Sequence, residues 1–184
     1  MSWQWWLLVV ALLLAVFVAI YLSSTAGRLD RLHHRVDVSR ANLVAELRRR
    51  RDLTDHVAAI GVVDPASALL LADAVGSVAA AEPSGDSVGL YLAESDLSAV
   101  LAAVFSDPLE VDEIIAAPGG EAVERLADAC RRVQIGRRFY NDAVNGTRAV
   151  RQGIVVRTFH LQGTAPMPET VEMIDTPPAG FAGR

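Results

Sequence analysis

The chain has 184 residues, enough for one ordinary domain, and it is 52% apolar with a positive mean hydropathy despite 21% charged residues. All 17 basic residues are Arg and none is Lys, which excludes a P-loop lysine, a Schiff-base lysine and a lysine general base. The single cysteine, Cys130, excludes an internal disulfide and a lipoprotein anchor, and suits a reducing compartment.

The excess hydropathy is concentrated in residues 3–22, WQWWLLVVALLLAVFVAIYL, where Gln4 is the one strongly polar residue. Twenty residues at a helical rise of about 1.5 Å reach roughly 30 Å, the thickness of a hydrocarbon core. Trp3, Trp5 and Trp6 stand at one edge and Tyr21 at the other, where amphipathic rings favour the headgroup level. No charged side chain precedes Arg28, whereas Arg28, Arg31 and Arg35 follow closely. The positive-inside bias therefore predicts a single-pass inner-membrane protein, with a short extracytoplasmic amino terminus (1–2), a spanning helix (3–22) and the remainder in the cytoplasm. A cleaved signal peptide is the competing reading, because Ser24 and Ala26 are small. The absence of a basic n-region and the length of the apolar run from Leu7 to Leu22 weigh against it.

Charge alternates along the rest of the chain. Residues 28–51 carry eight Arg against Asp30, Asp37 and Glu46; residues 52–124 carry fourteen acids and no Arg; residues 125–157 carry eight Arg against Asp128 and Asp142. In the first basic block Leu29, Leu32, Val36, Leu43, Leu47, Leu53, Val57 and Ile60 recur at helical spacing, and Gly61 is a plausible stop. Asp64-Pro65 reads as an N-cap with proline at the first helical position, opening a helix with Leu69, Leu70, Val75 and Val78 inward. After a break at Glu82–Asp86, a third helix is expected from Glu94 to Ser106, with Leu97, Val100, Leu101, Val104 and Phe105 inward, ended by Asp107-Pro108. Beyond Pro118-Gly119-Gly120 a long helix runs to about Gly153 on an apolar seam of Val123, Leu126, Cys130, Val133, Tyr140 and Val144. Residues 154–161 read as extended, and the Pro-rich tail (162–184) as partly disordered over its last dozen residues. The expected fold is all-α: a transmembrane helix followed by an antiparallel helical bundle (28–161) with long first and last helices and a short extended tail. Its arginines either meet anionic lipid headgroups or pair with acids on neighbouring helices.

Two segments, RANLVAELRRRRDL (40–53) and RRFYNDAV (137–144), on the first and last long helices behind an amino-terminal anchor, resemble the LemA family. The resemblance covers residues 1 to about 175 and implies a membrane-anchored antiparallel helical domain facing the cytoplasm, in a family without an established biochemical activity. Arg51 and Leu53 match one motif; Arg137, Tyr140, Asn141 and Val144 lie in the other, which carries the Tyr-Asn-x-x-Val core. Thr54-Asp55-His56 stands where the family has Pro-Asn, Asn145-Gly146-Thr147 where a second Tyr-Asn follows, and the later Phe-Pro is missing. The resemblance is thus to a divergent member.

Catalytic motifs are weak. Gly85-Asp86-Ser87-Val88-Gly89 fits the G-x-S-x-G expression, but an alanine-rich segment precedes it instead of a strand, and the only downstream base is His160. His33, His34, His56 and His160 lack metal spacing, and Asp107, Glu110, Asp112 and Glu113 lack the calcium-loop glycine. Arg48 to Arg51 wrap around a helical turn without interleaved aromatics, which disfavours nucleic acid. The sequence therefore predicts a non-catalytic scaffold or interaction protein. Its partners would be the lipid bilayer and an unidentified membrane or cytoplasmic protein, with no cofactor and an undefined oligomeric state. The rival expectation is a membrane-tethered enzyme or sensor with a small-ligand cleft around Tyr140, Asn141 and Arg137.

Overall fold

From Trp3 onward nothing interrupts helical propagation for almost sixty residues: no proline occurs, and the polar Ser24 and Thr25 turn their hydroxyls back to the Tyr21 carbonyl, both at 2.8 Å. A computed structural model describes residues 3–84, 87–159 and 166–183. In it Trp3–Ala59 is one helix, α1, closed by Gly61 at φ +73°, a left-handed conformation that glycine adopts without strain. There follow α2 (Pro65–Ala81), α3 (Ser87–Val104), α4 (Pro108–Ala116), α5 (Glu121–Arg151) and α6 (Ile154–Thr158), with short 3-10 turns at Glu82–Ser84 and Ala179–Phe181. The fold is all-helical, with no strand among the described residues.

The chain divides into two compact units. One comprises Met1–Val38 with Asp142–Thr170; the other comprises Ser39–Asn141 with Val171–Arg184. The first holds the apolar helix, whose Leu, Val and aromatic side chains from Trp3 to Tyr21 are exposed. It buries Leu29 and Val36 of α1, Val144 and Thr147 of α5, and Val156 of α6. The second has its core among Val57, the α2 seam Leu71, Ala74, Val75 and Val78, the α3 residues Leu97 and Leu101, Phe105, Val111 of α4, the α5 seam from Ala122 to Cys130, and Phe181. In it α2 packs on α3 and α4 on the 179–181 turn.

Local chemistry explains most boundaries. Asp64 caps α2 by accepting from the Ala66 and Ser67 amides at 2.9 and 3.1 Å, with Pro65 at the first helical position. Asp107-Pro108 repeats the device, the Asp107 carboxylate accepting from Leu109 N–H at 2.9 Å. That dipeptide therefore both follows α3 and opens α4, a helix the sequence reading left out.

Four expectations change. Leu69 and Leu70 are exposed at 72% and 55%, because the register set by Pro65 turns Leu71 and its neighbours at helical spacing toward the core. The third helix starts at Ser87, not Glu94, so Glu94 lies inside it and is buried. Residues 154–158, read as extended, form α6: with no neighbouring strand to pair, a helix satisfies their backbone groups internally. The tail is docked over its described part, with Val171, Asp175, Gly180 and Phe181 buried. Side chains from α3 and α5 supply hydrogen bonds to its backbone at Val171 and Ile174.

Candidate functional site

Residues Arg137 and Asn141 lie four apart on α5 and so share one face of the helix. Arg137 grips Asp175 with two parallel bonds, Nε to Oδ2 at 2.6 Å and a terminal nitrogen to Oδ1 at 2.9 Å. This fork suits a planar guanidinium, and the hydrogen bonds to Asp175 raise the Arg137 pKa above its ordinary value against the opposing effect of partial burial. One turn on, the Asn141 side chain donates to the Val171 carbonyl at 3.0 Å and accepts from the Val171 N–H at 2.9 Å. A primary amide here imitates the partner strand of a β-ladder. From α3, the Ser95 hydroxyl accepts from Ile174 N–H at 3.0 Å.

Further along the tail, Gly180 N–H donates to the Phe105 carbonyl at 3.0 Å, and the Phe181 ring lies 4.9 Å from that of Phe105 in a tilted stack. A Cβ at position 180 would come within 2.6 Å of Val111 and 2.7 Å of the Phe105 carbonyl, so only glycine fits. In the other unit Arg148 and Arg151 of α5 hold the tail backbone at the Pro168 and Pro166 carbonyls, at 2.7 and 2.6 Å.

Tyr140 is buried, and Tyr91 of α3 is half-buried. Burial pushes the Tyr91 phenol above its ordinary pKa, with Arg40 opposing and Tyr140 reinforcing the shift. Asn141 thus commits both polar atoms to Val171, and Arg137 commits its fork to Asp175. Two residues of the expected small-ligand cleft, Arg137 and Asn141, line a face occupied by the chain's own tail.

A second polar cluster lies in the core of the same unit. Arg50 is 2% exposed and Glu94 3%. Arg50 donates to the Glu94 carboxylate at 2.5 Å, to the Glu94 carbonyl at 3.2 Å and to the Ser98 hydroxyl at 2.9 Å. Ser98 in turn donates to the Glu94 carbonyl at 3.0 Å, and the Thr54 hydroxyl donates to the Arg50 carbonyl at 2.8 Å. Desolvation raises the Glu94 pKa, and the Arg50 charge opposes that rise. Cys130 is buried nearby; burial pushes its thiol up to about 11, with Arg50 pulling it down. The chemistry available to such a thiol is packing rather than nucleophilic attack.

The sequence reading did not single out Arg50, Glu94 or Ser98. A signal was present: Leu29, Val36, Leu43 and Val57 fall on a seven-residue repeat whose missing member is position 50, and Glu94 and Ser98 share a helical stripe with Leu97 and Leu101. The four-arginine run does wrap the helix. Arg49 is exposed, Arg50 is buried, and Arg48 and Arg51 converge on Glu82 of the 3-10 turn, each at 2.6 Å. Hydrogen bonding to Glu82 raises the Arg51 pKa, and the same bonds lower that of Glu82. Leu53 packs against the core from its edge, and Val144 is buried in the other unit. Trp3, Trp5, Trp6 and Tyr21 are exposed, as are Arg28, Arg31 and Arg35. Gly85 and Asp86 of the G-x-S-x-G match, and His160, lie outside the described residues. Comparison with family models, with curated proteins and with solved structures returns no match.

Proposed function

We propose that this chain is a LemA-like, membrane-anchored helical scaffold that binds other proteins and carries no catalytic centre of its own. The observation that carries the reading is the exposed apolar helix from Trp3 to Tyr21, continuous within α1 with a helical segment that is buried in a folded core. Roughly 20 exposed apolar residues in one stretch are what a bilayer solvates and water does not. Charge supports the orientation with the amino terminus outside. The unit that contains the apolar helix has six Arg against four acids, whereas the other has eleven Arg against eighteen. The basic excess thus accompanies the anchor, as the positive-inside bias requires of a cytoplasmic flank.

The bundle itself is read as antiparallel. A Cβ built at Gly136 would lie 3.7 Å from the Leu43 Cα, and Arg50 acts electrostatically on Cys130, so position rises on α1 as it falls on α5. Arginines that the charge map left between lipid and protein partners are in several cases committed within the chain, to Glu82, Glu94 and Asp175. Arg28, Arg31 and Arg35, exposed and next to the apolar stretch, are the arginines best placed for lipid headgroups. Alkaline carbonate extraction should leave the full chain in the membrane pellet, and a carboxyl-terminal fusion should fluoresce without phosphatase activity. Release into the supernatant refutes the anchor, and phosphatase activity refutes the orientation.

A further inference from the structure

Along α1 every side chain from Trp3 to Tyr21 is exposed, whereas Leu22, Thr25, Ala26 and Gly27 are partly covered and Leu29 is buried. The protein covering of α1 thus begins where the apolar stretch ends. In the same compact unit stand the last turns of α5, then α6 and the chain up to Thr170. Because α5 runs against α1, the chain approaches the apolar stretch as it passes from α5 into α6. In α6 Val156 is buried, but Ile154 is 83% exposed and Phe159, just past its end, 52%. Arg157 between them is exposed and meets no acid among the described residues. Ile154, Arg157 and Thr158 line a surface hollow of about 320 Å³. A lone exposed Ile154 would need no explanation. Two large apolar side chains around an uncompensated guanidinium, in the unit that carries the apolar stretch, have the composition of a membrane interface.

We propose that α6 with Phe159 is a second membrane contact, lying in the anionic leaflet on the folded side of the anchor, with Ile154 and Phe159 among the headgroups and Arg157 on their phosphates. The inference rests on the anchor reading and extends it from a tether to an oriented surface. A helix of five residues is too short to hold a bilayer from solution. Joined to a spanning helix, it meets the leaflet as an intramolecular partner, so weak contacts suffice. Interfacial side chains reach about 5–10 Å into the headgroup boundary, and an arginine at an anionic surface gains about five-fold in occupancy. One spanning helix leaves rotation about its own axis free. A second contact off that axis fixes which side of the unit faces the leaflet. Arg28, Arg31 and Arg35 of the same unit add positive charge at that surface.

The test uses the full chain with Trp3→Phe, Trp5→Phe and Trp6→Phe, reconstituted into vesicles of phosphatidylcholine and phosphatidylglycerol in which part of the lipid is brominated on its acyl chains. One introduced tryptophan then reports its depth through bromine quenching. Phe159→Trp should be quenched most by bromines near the headgroup end of the chains. Leu13→Trp, near the middle of the apolar stretch, should be quenched most by bromines near the chain terminus. Adding Arg157→Glu or Ile154→Glu should reduce quenching at position 159 at least two-fold and leave position 13 unchanged. Both side chains are exposed, so neither change touches buried Val156, and circular dichroism checks that helicity is kept. Quenching at position 13 without quenching at 159 overturns the proposal and leaves the anchor standing. Absence of quenching at both positions overturns the anchor, and the second contact with it. Quenching at 159 that survives both Glu substitutions, or that is strongest with the deep bromines, also overturns the proposal.

Discussion

Replacing Arg50 by methionine keeps an unbranched apolar stem and deletes the guanidinium and its charge from a polar cluster buried in the core. Arg50 and Glu94 are 2% and 3% exposed, so almost no water is available to take over the solvation of the remaining carboxylate. Removing one partner of a buried pair costs about 3–5 kcal/mol, because the survivor is left charged or must take up a proton. At roughly 2–4 °C per kcal/mol for a chain of this size, the midpoint of thermal unfolding should fall by about 6–20 °C. The double variant Arg50→Met, Glu94→Leu removes both charges. It should recover most of the loss, since a well-packed apolar replacement of a buried pair is often neutral or stabilising. Ser98 permits this recovery, because its hydroxyl still donates to the residue-94 carbonyl at 3.0 Å.

The single variant also has a pH signature. Burial already raises the Glu94 pKa from its ordinary value of 4.5, and Arg50 is the main force opposing that rise. Without Arg50 the folded state binds the Glu94 proton more tightly than the unfolded state does, so stability falls as pH rises through the window above the ordinary carboxyl range. Arg50→Met should therefore be more stable at pH 5 than at pH 8, and the double variant should not share this slope. Far-UV circular dichroism of thermal unfolding in micelles measures both effects. A single variant that loses less than about 1 kcal/mol, or a double variant as unstable as the single, would refute the reasoning.

Three further outcomes are expected. Arg137→Ala and Asp175→Ala should each speed amide exchange at residues 171–176, and a double-mutant cycle should return about 1–2 kcal/mol of coupling for this partly exposed pair; independent effects would contradict the fork geometry. Gly180→Ala should cost about 1–3 kcal/mol through overpacking against Val111 and the Phe105 carbonyl, checked by urea unfolding; an unchanged midpoint would contradict the packing of the 179–181 turn. Cys130, buried and pushed up to about 11, should resist maleimide at pH 8 until the chain is unfolded, and rapid labelling of the native protein would show that the α5 seam is open.

Much of the helical layout was legible because its causes are local. Gly61 stops α1, Asp64-Pro65 opens α2, and the α5 seam from Val123 to Val144 is buried as its spacing predicts. The same kind of signal at Asp107-Pro108 was read only as an ending, although a carboxylate that caps and a proline that needs no amide donor begin a helix equally well. Residues 154–158 were misread because β-branched side chains favour a strand only where another strand is there to pair. The candidate site was half legible. Arg137, Tyr140 and Asn141 stood out through their motif and their place on α5, while Arg50 was obscured among four neighbouring arginines.

Apolar spacing, caps and the distribution of charge are properties of neighbouring residues, so composition and periodicity settle where the long helices run and where the long apolar segment lies. They also show that Arg50 and Arg137 stand on stripes otherwise occupied by apolar residues. Which group answers each arginine is a different matter. Glu94 is 44 residues from Arg50, and Asp175 is 38 residues from Arg137. The tail has no periodicity through which to announce its order. Only the packed arrangement of α1, α3 and α5 brings those partners within hydrogen-bond reach, because burying a charge is tolerable where its counter-charge is buried with it, and a non-helical segment holds its place where side chains from elsewhere complete its backbone hydrogen bonds.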